Sequence, residues 1–350
     1  MGRVRTNLLF ALVTIIALLS SIAVLWAYVA SSPSEGVLRL GYFPNLTHAQ
    51  ALYGISTGSY QAVLGPGVTL EPQVFNAGST AIAALLANQV DLIFVGPSPT
   101  LNALAASGPD YIRVIAGGSS GGALFVLQPN VYLNSSADYA GKKFATPQYG
   151  NSQDLALKHF LLTQGHRTLD RGGDVDVINA PNSDIFSLFR VHQIDGAWVP
   201  EPWASRLVLE ASGKVFLDEK SLWPGGRFVT TQLVTTKRYL DAHGALLSRF
   251  LDAEVTLTLR LQNITVPALE IINNAIANVT NTRLADATTQ AAIQDLNLTY
   301  DPIRTSLTTY LAWAQELGLL SSGVDPSHLY DLSLLNGILS GRGLPPVSLT

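Results

Sequence analysis

The sequence predicts an α/β protein of two lobes, and three observations carry that reading. Strand-like and helix-like segments alternate strictly from residue 37 onward. The alternation runs through two successive series, and near residue 237 it gives way to a mainly helical texture. Strands are expected at 37-VLRLGYF-43, 68-VTLEPQVF-75, 91-DLIFVG-96 and 111-YIRVIAGG-118, each short, rich in β-branched or aromatic residues and bounded by Gly, Pro or Asn. Between them lie the helix-compatible runs 48-HAQALYGIS-56, 79-STAIAALLANQ-89 and 98-SPTLNALAAS-107. A second series follows: strand 142-KKFATPQ-148, helix 152-SQDLALKHFLLTQG-165, strand 175-VDVINAP-181, helix 183-SDIFSLFRVHQ-193, strand 195-DGAWVPE-201 and strand 214-KVFLDE-219. Such alternation implies parallel sheets covered by helices on both faces. The segment 237–263 reads as one long amphipathic helix. The lobes are expected to join through two strands, 121-GGALFVLQP-129 outbound and 228-FVTTQLVTT-236 on the return. That division assigns 36–125 with 230–350 to lobe 1 and 126–229 to lobe 2.

Residues 1–35 read as a membrane anchor or signal segment with a linker. Leu8 to Ala30 form an almost unbroken apolar run, preceded by Arg3 and Arg5 and followed by 31-SSPSE-35. About twenty such residues span a bilayer as a helix, and the arginines place the short N-terminal side in the cytoplasm. The rest of the chain is then extracytoplasmic. A cleaved signal peptide, giving a secreted or periplasmic protein, is the rival reading. Sequons at Asn45, Asn134, Asn263, Asn278 and Asn297 agree with export, although a chain rich in Asn, Ser and Thr produces them by chance.

Composition excludes several functions. The 350 residues carry a net charge of −4 with 13% charged side chains and no basic tract, which argues against a nucleic-acid partner. Cysteine is absent, so disulfides, thiolate metal sites and a cysteine nucleophile are all removed. The histidines His48, His159, His166, His192, His243 and His328 show no metal-ligand spacing, and no metal or cofactor is expected. The serine in 96-GPSPT-100 lacks the glycine pattern of a nucleophile elbow, and 117-GGSSGG-122 lacks the lysine of a phosphate-binding loop.

The loops expected after the strands share one character. In open α/β sheets ligands collect outside the carboxyl ends of the strands. Here those ends carry 44-PNLTH-48, 76-NAGST-80, 96-GPSPT-100, 117-GGSSGG-122, 148-QYGNSQD-154, 181-PNSD-184 and 199-VPEPW-203. Small hydroxyl, amide and glycine residues dominate them, with His48 as the one potential cation. Backbone N–H groups at helix starts, helped by Ser or Thr hydroxyls, hold an oxyanion without any fixed charge. Each loop alone is explained by helix capping; the convergence of several on one edge points to a binding cleft.

Several runs resemble the periplasmic-type solute-binding proteins of the nitrate, sulfonate and taurine ABC-transport group. They are 38-LRLGYFPNLTHAQAL-52, 75-FNAGSTAIAALL-86, 95-VGPSPTLNA-103, 116-AGGSSGGALFV-126, 141-GKKFATPQYGNSQDLAL-157, 195-DGAWVPEPWASRLVLE-210 and 226-GRFVTTQLV-234. The likeness covers about 37–260, is strongest toward aliphatic sulfonate binders, and is weak in the C-terminal helical part. It implies a type II periplasmic-binding-protein-like fold. A monomeric clamp would capture a small anion such as a sulfonate and deliver it to an ABC permease and its ATPase. By matching position, the resemblance implies ligand contacts around Asn45 and Leu46, Gly78 and Ser79, Pro97 and Ser98, Ser119, Ser120 and Gly121, Gln148, Asn151 and Ser152, and Glu201 to Trp203. Nitrate, bicarbonate, taurine and pyrimidines use the same scaffold, so the solute stays open.

The run 196-GAWVPEPWASRL-207 crowds two tryptophans, two prolines and a glutamate together. Trp198 or Trp203 is expected to form an apolar wall of the cleft, with Pro200 and Pro202 stiffening it and Glu201 orienting a donor; plain core packing is the competing reading. An enzyme on the same bilobal fold is the alternative class, but its pyrimidine-forming version needs a cysteine-rich segment that this chain lacks. A sensory ectodomain is disfavoured because 341-GRGLPPVSLT-350 carries no second span.

Overall fold

The computed structural model describes residues 36–348. The apolar run Leu8 to Ala30 lies outside the described residues, and no helix among those described is long and apolar enough to cross a membrane. Two mixed sheets organise the chain, six strands in one and five in the other.

The first sheet begins with a repeating unit. Strand β1 (Gly36–Tyr42) leads through helices α1 (Ala49–Ser56) and α2 (Ser59–Leu64) to β2 (Val68–Val74). Helix α3 (Gly78–Leu86) leads to β3 (Leu92–Val95), and α4 (Pro97–Ser107) leads to β4 (Ile112–Gly121). The chain then crosses directly into the second sheet as β5 (Ala123–Leu127). There it builds β6 (Lys143–Thr146), α5 (Ser152–Thr163), β7 (Asp176–Asn179), α6 (Asn182–Arg190), β8 (Gly196–Pro200), α7 (Trp203–Ala211) and β9 (Lys214–Asp218). It returns as β10 (Val229–Thr236) and ends in α8 (Lys237–Gln262), α9 (Val266–Thr280), α10 (Asp286–Gln294), β11 (Leu296–Leu298), α11 (Arg304–Glu316) and α12 (Ser333–Gly341).

The sheets are mixed, which corrects the expectation of parallel ones. Strands β1, β2 and β3 are parallel, as are β6, β7 and β8. By contrast β10 runs antiparallel to β3 and β4, and β5 runs antiparallel to β8 and β9. The cause is the double crossing. A strand arriving from the other sheet enters at the end where its neighbours finish, so it must run against them.

The segment 117-GGSSGG-122 is not a loop: β4 runs through Gly121 and is buried throughout. Its glycines answer to close backbone approach rather than to ligand. A Cβ on Gly117 would lie 2.3 Å from the Asp301 carbonyl oxygen, while Gly121 and Gly122 take φ of +75° and +68° at the crossing itself. The long helix α8 departs from helical geometry at His243 (φ −126°).

Packing follows the alternation of strand side chains. In β5, Phe125 and Leu127 bury on one face with Phe144, Phe160 and Trp198, while Leu124 and Val126 bury on the other with Ala145, Phe189 and Leu207. A sheet buried on both faces needs helices on both sides, which α5 supplies on one and α6 and α7 on the other. The C-terminal helices join the core of the first sheet through Phe250, Ile272 and Leu307.

The return crossing is pinned by Glu219. Its buried carboxylate oxygens accept from Trp198 Nε1 of β8 at 2.8 Å and from the Tyr310 hydroxyl of α11 at 2.6 Å. Burial pushes this carboxyl up to about 7, although both donors favour its charged form. The folded state therefore holds a proton that the unfolded chain releases above about 4.5, and the stability that this proton contributes is lost as pH rises through about 7. In Glu219→Gln that loss should vanish. Urea denaturation of both proteins across this interval should give slopes differing by about 1.4 kcal/mol per pH unit, and parallel curves would refute the assignment.

Candidate functional site

The carboxyl ends of β1, β2, β3, β6, β7 and β8 face one another across the gap between the sheets. The loops leaving them enclose an inner chamber of about 60 Å³, room for a few waters or one small polar group. Its lining includes Asn45, Thr47, His48, Asn76 and Gly78 from the first lobe, Gln148, Asn151, Ser152, Gln153 and Asn182 from the second, and Thr230 and Thr231 at the start of β10. None of the lining residues is Lys, Arg, Asp or Glu.

Helix starts converge here. Gly78 and Ser152 are the first residues of α3 and α5, and Gly96 immediately precedes α4. Asn151 caps α5 by accepting from Asp154 N–H at 2.8 Å. Beneath it the Asp154 carboxylate accepts from Thr146 Oγ1, Gly150 N and Lys158 Nζ at 2.8, 2.8 and 2.7 Å. This buried ion pair fixes the 147–153 loop, and both its charges are used in doing so.

His48 is buried against Phe43, with ring centroids 4.6 Å apart, and burial pushes its imidazole down to about 3. The ring is therefore neutral at ordinary pH. Its Nδ1 accepts from Phe43 N–H at 3.3 Å, which leaves the proton on Nε2 as a neutral donor. Ser152 is similarly poised: its Oγ accepts from Ser98 N–H at 3.4 Å, so its own hydroxyl proton is available. Asn182 Oδ1 is buried without a partner, an acceptor left for a solute N–H or O–H.

The other expected residues fall into distinct places. Gln148 reaches across the cleft to Ser79, which lies outside the inner chamber, and Ser98 Oγ donates to Gly150 O at 2.7 Å. Leu46 and Pro97 are buried at the starts of a short 3₁₀ turn and of α4 and do not line the chamber. Ser119 donates to Thr47 O at 2.9 Å and so positions the 45–48 turn; Ser120 accepts from Phe228 N–H at 3.3 Å. Gly121 belongs to the crossing, outside the chamber lining.

The tryptophans of the 196–207 run separate. Trp198 is fully buried, stacked on Phe125 at 5.3 Å, so the wall expected of it is core. Trp203 lies in the cleft and donates from Nε1 to Asn45 Oδ1 at 3.3 Å, joining the two lobes. Glu201 is buried and accepts from Ser205 N–H and Oγ–H at 3.1 and 3.0 Å, capping the first turn of α7. Burial, with Asp295 adding to it, pushes its carboxyl up to about 8.

Of the polar lining, residue reading missed Thr47, Asn76, Gln153, Asn182, Thr230 and Thr231. Asn76 and Asn182 stood within loops already singled out and were signalled by position alone. The two threonines carried no loop signature, because they begin a buried strand.

A wider chamber of about 810 Å³ adjoins the inner one, and Phe43, Asn45, Asn76 and Asn182 line both. Among the described residues, no cluster of three or more His, Asp or Glu side chains is placed to hold a metal ion.

The taurine-binding periplasmic protein of Escherichia coli (strain K12) is 26% identical over 193 residues, which is 54% of this chain and 56% of that one. The chain spans about half the length, or less, of the curated relatives it matches. Among solved structures, the alkanesulfonate-binding protein of Xanthomonas axonopodis pv. citri bound to MOPS superposes with a TM-score of 0.66 at 17% identity, covering 87% of this chain and 97% of that one. The periplasmic nitrate-binding protein of Synechocystis PCC 6803 gives a TM-score of 0.73 at 14% identity over 88% and 89%. At such identities these structures show a shared two-lobed α/β binding-protein fold. The sequence model of the NMT1-like family matches residues 31–268, the greater part of the sequence, and the chain belongs to that family.

Proposed function

We propose that this chain is the extracytoplasmic solute-binding component of an ABC importer, taking a small anion into the inner chamber and handing it to a permease driven by an ATPase. An aliphatic sulfonate or taurine is the first solute class. The observation that carries this reading is a chamber built by both lobes from neutral donors. Helix starts, hydroxyls, amides and the neutral His48 suit a monoanion, whereas multiply charged anions would go uncompensated. The relatives named for taurine, alkanesulfonate and nitrate support the same class. A pyrimidine is the second reading, favoured by the unpartnered acceptor of Asn182.

The mechanism is closure of lobe 1 (36–125 and 230–350) on lobe 2 (126–229). A solute touching both lobes binds the closed form better and shifts the population toward it. The bonds from Gln148 to Ser79, Ser98 to Gly150 and Trp203 to Asn45 link the lobes directly and would strengthen the closed form. Residues 1–35 would tether the clamp near its permease as an anchor, or direct its export if cleaved.

A thermal-shift panel of alkanesulfonates, taurine, nitrate, bicarbonate and pyrimidines on the full-length chain tests the class. At about a hundred times its Kd a solute adds roughly 2.7 kcal/mol to stability and should raise Tm clearly. Ser152→Ala should weaken sulfonate about tenfold by removing one donor. A panel without any shift would sink the class. His48→Gln tests the neutral ring. Because the folded value lies near 3 and the ordinary one near 6.5, the stability from the uncharged ring is complete above about 6.5 and lost as pH falls toward 3. Between pH 6.5 and 5 the wild type should lose about 1.4 kcal/mol per unit more than the variant, measured by urea denaturation.

A further inference from the structure

We propose that the wider chamber is the seat of an aromatic or bulky apolar tail, so that the natural solute is an elongated organic monoanion rather than a bare ion or taurine. This rests on the reading that a polar head occupies the inner chamber. The inner space, about 60 Å³, accepts little more than a sulfonate-sized group, while the outer one, about 810 Å³, is of the size that holds whole organic molecules. They adjoin at Phe43, Asn45, Asn76 and Asn182, which line both, so the outer space is the one next to a head bound inside.

The outer walls come from both lobes and carry apolar side chains set among Asn, Ser and Thr. Phe75 and Ile276 face the side of the first sheet, Phe186 and Trp203 that of the second. The one charged residue in this lining is Arg206, and its charge is already engaged. Its guanidinium carbon lies 4.2 Å from the Phe186 ring centre and 4.7 Å from that of Trp203, while its Nε donates to Glu210 at 3.1 Å. Arg206 thus packs over the faces of both rings and is not a free cation, and the apolar surface of the chamber is these rings together with Phe75, Ile276 and Leu284. A small inorganic anion would leave this surface facing water. An aryl tail covers it.

A second observation separates tail from head. Ile276, Val279 and Leu284, which line the outer chamber, lie beyond residue 268, where the family match ends. The head chamber is built wholly from residues inside the match, whereas the wall against the tail is partly built from residues beyond it.

Isothermal titration calorimetry on the full-length chain, with four probes, tests the tail and the head separately: methanesulfonate, 3-phenylpropane-1-sulfonate, acetamide and 4-phenylbutanamide. The phenyl sulfonate should bind about tenfold or more tightly than methanesulfonate, in keeping with burial of an aromatic group. Phe186→Ala should erase most of that ratio and leave methanesulfonate within about twofold. Phe186→Leu, which preserves apolar packing, provides a folded variant that should lose part of it. Equal affinity for the two sulfonates would overturn the tail and leave the sulfonate reading standing. A phenyl preference seen with the amides alone would support the tail chamber and overturn the sulfonate head. A preference undiminished in both folded variants would place the tail elsewhere and overturn the proposal, and no binding by any of the four would overturn both readings.

Discussion

The fold turns on one buried carboxyl group at the place where the chain returns from the second sheet to the first. Glu219 binds an indole from β8 and a phenol from α11, and a group so enclosed cannot lose either donor without leaving polar atoms unpaired. Close by in space, against Lys220, the outbound chain passes through Gly121 and Gly122, both at positive φ, where a Cβ on Gly121 would lie 2.8 Å from Asp295 O. The two crossings are thus different in kind: one is knotted by side-chain hydrogen bonds to a carboxyl, the other is held through its backbone, Gly121 O accepting from Thr230 Oγ1 and Gly122 O from Glu201 N–H. A pivot needs both, since the first keeps the lobes in register and the second contains the residues best able to absorb a change of φ and ψ. The antiparallel entry of β5 and β10 into otherwise parallel sheets is the geometric consequence, and it delivers Thr230 and Thr231 to the chamber.

Charge is placed around the cleft rather than in it. Asp154 and Lys158 neutralise each other below α5, Arg206 is paired with Glu210 at the rim, and Glu201 is turned into a helix cap. Each of these groups positions a loop that offers neutral donors to the solute. A fixed cation would hold an anion more strongly, but it would also face an empty cleft at the cost of its own partner. Neutral dipoles give a more directional grip, which suits the proposed role of binding a solute and handing it on.

Much of this was legible in the sequence because strand and helix periods are local. The strands from β1 to β9 stand close to where β-branched runs bounded by Gly, Pro and Asn indicated them, and the polar loops at their carboxyl ends include Asn45, His48, Gly78, Gln148, Asn151 and Ser152 of the chamber lining. What failed was non-local. Gly and Ser in 117–122 read as a ligand loop, whereas they form a buried strand squeezed by residues 295 to 302, far away in sequence. Ser119 consequently acts through Thr47 rather than on solute. The two tryptophans of 198–203 are alike in composition, and only their register separates them. Trp198 is inside β8 with its ring on the Phe125 face, while Trp203 opens α7 at the cleft.

That division between strand and helix start also explains how selectivity can be split in this protein. The inner chamber is made of backbone and short side chains whose positions are set by β-strand ends and caps, so changing its preference means moving a sheet. The outer chamber is lined partly by side chains on α6, α7 and α9, such as Phe186, Trp203 and Ile276, and helix surfaces tolerate exchange of one apolar residue for another at modest cost. Contributions from separated positions combine nearly independently. A head recognised by rigid dipoles and a tail recognised by replaceable surface can therefore vary one without the other. On the proposed head-and-tail reading, the Phe186, Arg206 and Trp203 stack, held in place by Glu210, is where recognition by strand ends and caps would give way to recognition by helix side chains.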